Sequence, residues 1–365
     1  MLAGQSAIEY LMTYGWMLLV VAVVGGAVFS MVGEQSIESI QGFNDNRIHA
    51  ADFGLTDSSL QINVGASGAD NVVLKEVKLS DSSNNVSIPL NHEISAGQNS
   101  VLNLPHLTQS NEVNNVKIDL VYDTGSLQNI TSSGTVTGEL EIDESLMGYW
   151  TMNEMQSNST HILDISQGDN HAEIGGANFV NDGTALEFDG DEDYIGIPDD
   201  SRIHQALEGE ESTFIVRFDD GEYGDSWGTW MGWTAETDEG EQAARFAGQG
   251  LTSNLYMRWY VEPAETSYTH TDAVWARNTP DKAGEPMFHA SSFQTTNSGY
   301  TVRTWIDDDL ESQQTGDQRA VLGEASNIGD FQPAQYAVVE DILIFDRALS
   351  TTEVRSLYNT PHLID

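Results

Sequence analysis

The spacing of hydrophobic positions changes character twice along the chain. Residues 5–32, QSAIEYLMTYGWMLLVVAVVGGAVFSMV, are largely apolar and carry a single charge, Glu9. As a helix rising about 1.5 Å per residue, this stretch reaches about 42 Å, more than the ~30 Å hydrocarbon core of a bilayer. It predicts a long N-terminal hydrophobic α-helix. Ile37, Ile40, Phe43 and Ile48 continue at near-helical spacing, so the helix and a short amphipathic stalk are expected over residues 5–50.

From residue 51 to residue 145 the period becomes two. LQINVGA, NVVLKEVKLSD, NVSIPL, NSVLNL, VKIDLVYD, LQNITSSG and TVTGELEI are short runs rich in β-branched residues, separated by Asn, Gly, Ser and Asp. About seven strands in about 95 residues predict a small immunoglobulin-like β-sandwich head. Residues 146–365 alternate again in YIGIPD, STFIVRF, LYMRWYV, YTVRTWID and DILIFD. Trp150, Trp230, Trp233, Trp259 and Trp305 are expected to pack between two curved sheets there. Ser350 followed by Glu353 has the S/T-x-x-E form of a capping box and predicts a helical turn over residues 353–357. The fold class is mainly β, behind one long helix.

Charge narrows the function. The 365 residues contain 57 Asp and Glu against 14 Lys and Arg, for a formal net charge of −43. Such a surface excludes nucleic acid as a partner, since phosphates need a basic face, and it excludes a polybasic lipid-binding patch. The acids are spread through the chain, as suits molar salt, where the ~3 Å Debye length removes most of the self-repulsion. Cysteine is absent, so neither disulfides nor a thiolate site contributes.

Glu9 is the anomaly of the apolar stretch, because a carboxylate in a membrane-length helix costs roughly 2.5 kcal/mol or more unless paired. Met1-Leu2-Ala3-Gly4 followed by Gln5-Ser6-Ala7-Ile8-Glu9-Tyr10-Leu11 resembles the class III signal peptide of archaeal type IV pilins and archaellins. The resemblance implies residues 1–4 as the signal and a cut between Gly4 and Gln5. It implies that the new amine of Gln5 and Glu9 of a neighbouring subunit pair on filament assembly, with the membrane as the environment before assembly. The chain departs from that family in one respect: no Lys or Arg precedes Gly4, and the first basic residue is Arg47.

Four blocks of the C-terminal part carry a second resemblance. They are Met147-Gly148-Tyr149-Trp150, then Asp164-Ile165-Ser166-Gln167-Gly168-Asp169-Asn170-His171, then Ala185-Leu186-Glu187-Phe188-Asp189-Gly190-Asp191-Glu192-Asp193-Tyr194, and finally Asp341-Ile342-Leu343-Ile344-Phe345-Asp346-Arg347-Ala348-Leu349-Ser350. In this order they are similar to the laminin-G-like, concanavalin-A-like domain of surface proteins. That implies a jelly-roll β-sandwich over residues 146–365 with a glycan or cell-surface protein as ligand.

Three chemistries have candidate residues. Asp189, Asp191 and Asp193 alternate, and on a turn they can converge with Asp164 or Asp341 to give calcium its six to eight oxygens; the alternative is a solvated acidic turn. Trp227, Trp230 and Trp233 stand in Gly- and acid-rich segments and are candidates for stacking on a sugar, with core packing the competing use. Glu141-Ile142-Asp143-Glu144 and the acids of residues 236–241 are near-matches to an E-x-D-x-E glycosidase strand, but acids this dense supply coincidental pairs. Asn85, Asn129 and Asn158 head N-x-S/T sequons. The expectation is a non-enzymatic pilin-like filament subunit at the cell surface that displays an adhesive domain. The competing reading is a membrane-tethered binding protein or glycoside hydrolase that does not polymerise.

Overall fold

The computed structural model describes residues 37–43, 45–154, 157–158, 160–168, 170–189, 193–196, 203, 211–221, 233–234, 247–251, 254–258, 262–263, 286–297, 299–316, 320–321, 327–328 and 336–360. Its first half is a two-sheet β-sandwich. The strands are β1 (Ile37–Gly42), β2 (Ile48–Leu55), β3 (Leu60–Ala66), β4 (Val72–Ser80), β5 (Asn85–Ile94), β6 (Asn99–Leu104), β7 (Leu107–Thr124) and β8 (Leu127–Ile142). One sheet has the order β1-β8-β7-β4-β5 and the other β2-β3-β6. Alternate residues point inward, so Leu60, Ile62 and Val64 of one sheet meet Val77, Leu79, Ile118 and Leu120 of the other, all fully buried.

The expected long helix is corrected by this architecture. Residues 37–42 and 48–50, assigned above to a helical stalk, belong to strands β1 and β2, and the α-helix with described bounds is Thr351–Asn359, at the other end of the chain. No helix of the described residues is long and apolar enough to cross a membrane. The apolar stretch 5–32, with Gly4, Gln5 and Glu9, lies outside the described residues. Tertiary pairing overrides the local spacing in the stalk, because β1 takes its hydrogen bonds from β8, with Ile40 opposite Val136 and Gly42 opposite Gly134. Gly42 (φ 96°) and Phe43 (φ 53°) then turn the chain through left-handed conformations that no helix accommodates. The Phe43 ring lies over Gly134, where a Cβ would stand 1.9 Å from it, so Gly134 is required for that seat.

The second half begins after a short turn at residues 143–145. Its strands are β9 (Leu146–Thr151), β10 (Ser157–Asn158), β11 (His161–Ile162), β12 (Ala172–Gly175), β13 (Asn178–Val180), β14 (Ala185–Phe188), β15 (Tyr194–Gly196), β16 (Glu211–Gly221), β17 (Trp233–Thr234), β18 (Ala247–Leu251), β19 (Asn254–Arg258), β20 (Glu262–Pro263), β21 (Met287–Thr296), β22 (Gly299–Ile306), β23 (Asp309–Gly316), β24 (Ala320–Val321), β25 (Asn327–Ile328) and β26 (Ala337–Phe345). An eight-stranded sheet runs β13-β14-β26-β16-β21-β22-β23, with β9 also pairing β26, and a four-stranded sheet runs β10-β11-β12-β15. Trp150, Phe188, Phe214, Phe293 and Ile342 of the large sheet form one core with Ile162, Ala172 and Ile195 of the small one.

The opposite face of the large sheet is buried too. Helix α1 (Thr351–Asn359) starts at Ser350, whose side chain accepts from Glu353 N while Glu353 accepts from the Ser350 backbone, closing the capping box read from the sequence. Its buried Val354 and Leu357 join Ile215, Phe288, Trp305, Leu343 and Phe345. Trp305 therefore packs on the helix side of the sheet, whereas a place between the two sheets was expected for it. The same apolar cluster continues through Leu146, Ile142, Leu107 and Leu104 into the head, so the head's core is continuous with the layer between the large sheet and α1.

Candidate functional site

Where the sandwiches meet, their polar rims enclose a cleft of about 920 Å³. Four pieces of chain build it. The β4–β5 turn contributes Asp81, Ser82, Ser83 and Asn84, and Asp81 Oδ1 holds that turn by accepting from Ser83 N and Asn84 N, each at 2.7 Å. Strand β7 contributes the second wall. Its register against β8 jumps between Gln109 (opposite Leu140) and Asn114 (opposite Gly138), so residues 110–113 bulge out of the ladder. The bulge leaves Val113 49% exposed and turns Gln109, Asn114 and Asn115 onto the cleft.

The floor is the junction itself. Arg347 donates through Nη2 to Asp143 at 2.9 Å, through Nη1 to Glu353 at 2.5 Å and through Nε to Ser145 Oγ at 2.8 Å. One guanidinium thus ties the inter-sandwich turn to the head of α1. Burial disfavours its charge, but Asp143 and Glu353 outweigh that and hold the Arg347 pKa above the ordinary value. Glu141 accepts from Ser110 Oγ at 3.2 Å and Glu144 accepts from Asn84 Nδ2 at 2.8 Å. Each of the five lining carboxylates, Asp81, Glu141, Asp143, Glu144 and Glu353, already has a hydrogen-bond partner.

Behind the cleft, His106 locks the junction a second time. Its ring is buried, donates from Nε2 to Ile165 O at 2.6 Å and tilts against Tyr149, while its own carbonyl accepts from Asp143 N. Burial drives its pKa down to about 4, against the opposing pull of the Ile165 bond, Asp164 and Asp143. The neutral ring is the folded form. Its stabilising contribution is complete above the unfolded pKa of ~6.5 and is lost as pH falls from there toward 4, amounting to roughly 3 kcal/mol. Urea unfolding of His106→Gln should therefore show a flatter loss of stability between pH 6.5 and 4 than the parent chain. Equal slopes would exclude this role.

The acids predicted for a metal are not gathered at one place. Asp164 is buried and saturated: Oδ1 accepts from Tyr149 N and Ser166 N, and Oδ2 from Asn170 N and Nδ2. Asp341 pairs with Arg217 on the helix side of the large sheet. Asp193 closes its own loop by accepting from Asp189 N, Asp189 is exposed, and Asp191 lies outside the described residues. Among the described residues no three acids or histidines converge as a metal-binding group. Trp227 and Trp230 also lie outside the described residues, and Trp233 enters through its backbone, pairing Ile328 in β17 and β25. Of the glycosidase near-matches, residues 236–241 lie outside the described residues, whereas Glu141, Asp143 and Glu144 do line the cleft.

Sequence reasoning missed Asn84, Gln109, Val113, Asn114 and Asn115. The available signal was the polar stretch QSNEVNN inside β7, which interrupts the alternation between Leu107 and Val116.

No protein-family model matches the chain, and no curated protein matches it. Among solved structures it is similar to a Trypanosoma rangeli sialidase in complex with sialic acid, at 10% identity and TM-score 0.42, over 84% of this chain and 61% of that one. It is also similar to the receptor binding domain of the botulinum neurotoxin C/D mosaic serotype, at 11% identity and TM-score 0.42, over 60% and 52%. The serotype D binding domain follows at 13% identity and TM-score 0.38, over 59% and 51%. The chain spans about half to three fifths of the length of these structures. Likeness at this level assigns no function.

Proposed function

We propose that the chain is a non-catalytic surface protein that binds carbohydrate in the cleft between its two sandwiches. The observation that carries this reading is the cleft, whose amides, hydroxyls and carboxylates are fixed on a junction locked by Arg347 and His106. Sugar hydroxyls need fixed donors and acceptors of this kind, and exposed Val113 offers an apolar patch to a sugar C–H face. The lining carboxylates are committed to structural bonds, which favours binding over general acid–base chemistry. Display belongs to the same proposal: processing between Gly4 and Gln5 and assembly with other pilin-like subunits through Glu9 would carry the sandwiches outside the cell. N-terminal sequencing of the mature protein should then begin at Gln5; an intact Met1 would exclude that route.

The ligand reading is tested on a glycan array in molar salt, with calcium and with chelator. The intact chain should bind, and Gln109→Ala with Asn114→Ala should weaken binding about tenfold or more, at about 1 kcal/mol per lost hydrogen bond. Absence of binding to any glycan, or binding indifferent to the double variant, would overturn it.

A further inference from the structure

The N-x-S/T sequons are the motif that neither the cleft nor the junction uses. Asn85 opens β5, and the burial pattern of that strand begins exposed, buried, exposed, so Asn85 and Ser87 share the solvent face across buried Val86. In a strand, residues two apart stand on one side, so the acceptor amide and the sequon hydroxyl share a face, on which the Ser87 hydroxyl donates to Glu76 of β4. Strand β5 ends the sheet order β1-β8-β7-β4-β5, so in the described sheet that face lies along an edge. Asn129 is placed differently. It follows the β7–β8 turn in a left-handed conformation (φ 52°), its N–H is held by Asp123 Oδ1 at 2.7 Å, and both Asn129 and Thr131 are exposed.

We infer that Asn85 and Asn129 are N-glycosylation sites, modified by an oligosaccharide transferred from a polyprenyl-phosphate-type lipid carrier. In the transfer the side-chain amide nitrogen bonds to the anomeric carbon and gives up a proton. The bond from that carbon to the carrier's phosphate oxygen breaks, and the lipid phosphate leaves. The two sites stand at opposite ends of the head. Asn85 follows the turn whose Asn84 reaches Glu144 at the junction, whereas Asn129 sits by the hairpin where Thr124 meets Leu127. A glycan on Asn85 covers the start of an edge strand that would otherwise be open to pairing with another chain. The inference rests on the surface-display reading, since the transfer belongs to exported proteins.

The test labels intact cells of a host that glycosylates a control sequon protein, using a membrane-impermeant amine reagent. The labelled full-length chain is then recovered for peptide mass analysis. Glycan mass is expected on the peptides containing Asn85 and Asn129. It should disappear from the respective peptide in Ser87→Ala and Thr131→Ala, which keep both asparagines. Labelled chain with either peptide bare overturns the assignment at that residue and leaves the display reading standing. Chain that stays unlabelled overturns the display reading, and this inference with it.

Discussion

Asp341→Ala is expected to destabilise the folded chain by about 3–5 kcal/mol, because it leaves Arg217 as an unpaired buried charge. The pair is 2.7 Å long, and both side chains are about 5% exposed. Arg217 also donates to Leu357 O at 2.6 Å and lies over the Phe288 ring at 5.2 Å. It therefore connects the large sheet to the last turn of α1, and losing its counter-charge weakens the sheet and the docking of the helix together. Urea midpoints in molar salt measure the effect, since surface pairs are screened there and this one is not. Arg217→Met with Asp341→Leu should recover most of the loss, short of the bond to Leu357 O. An Asp341→Ala chain within 1 kcal/mol of the parent would show that the pair carries little.

Asp164→Ala should be comparably severe, about 3 kcal/mol or more, for a different reason. One carboxylate satisfies the backbone N–H groups of Tyr149, Ser166 and Asn170 and the Asn170 amide, all buried. Removing it strands three backbone donors, at about 1–3 kcal/mol each before relaxation. The turn has no slack, because a Cβ on Gly168 would lie 2.0 Å from Asn170 Nδ2 and 2.4 Å from Met147 O. Asp164 was a candidate calcium ligand, and its role as a turn anchor makes a distinct prediction. The loss of stability should be the same with and without chelator. A parent chain that chelator destabilises as much as this substitution does would return Asp164 to a metal role.

Much of the β framework was legible in the sequence, because a strand buried on one face writes its burial into alternate residues. LQINVGA became β3 without change of boundary, and NSVLNL became β6. The capping box at Ser350 was legible as well, since all of its atoms lie within one turn of chain. LQNITSSG and TVTGELEI, read as two strands, form the single strand β8, because nothing local marks whether a Gly ends a strand or lies within it.

The sites resisted reading for a physical reason. Arg217 and Asp341 are 124 positions apart, and Arg347 and Asp143 are 204 apart, so no local pattern relates the partners. The cleft exists only because a bulge in β7 meets the β4–β5 turn and the head of α1. Strand β1 likewise owes its conformation to the free edge of β8, which overrode a helical spacing of isoleucines.

The sequence by itself determined the alternating strands, the helix cap and the three sequons, because each depends on neighbours within a few residues, and it determined the net acidity, which is a matter of composition alone. The tertiary structure alone decided that Asp164 anchors a turn, that Asp341 balances a buried arginine and that Trp305 faces the helix. It alone placed Asn84, Gln109 and Asn114 around one cleft. Those outcomes depend on which distant strands pair and in what register, and that is settled by burying two apolar cores, one inside the second sandwich and one running from the head to the helix side of the large sheet.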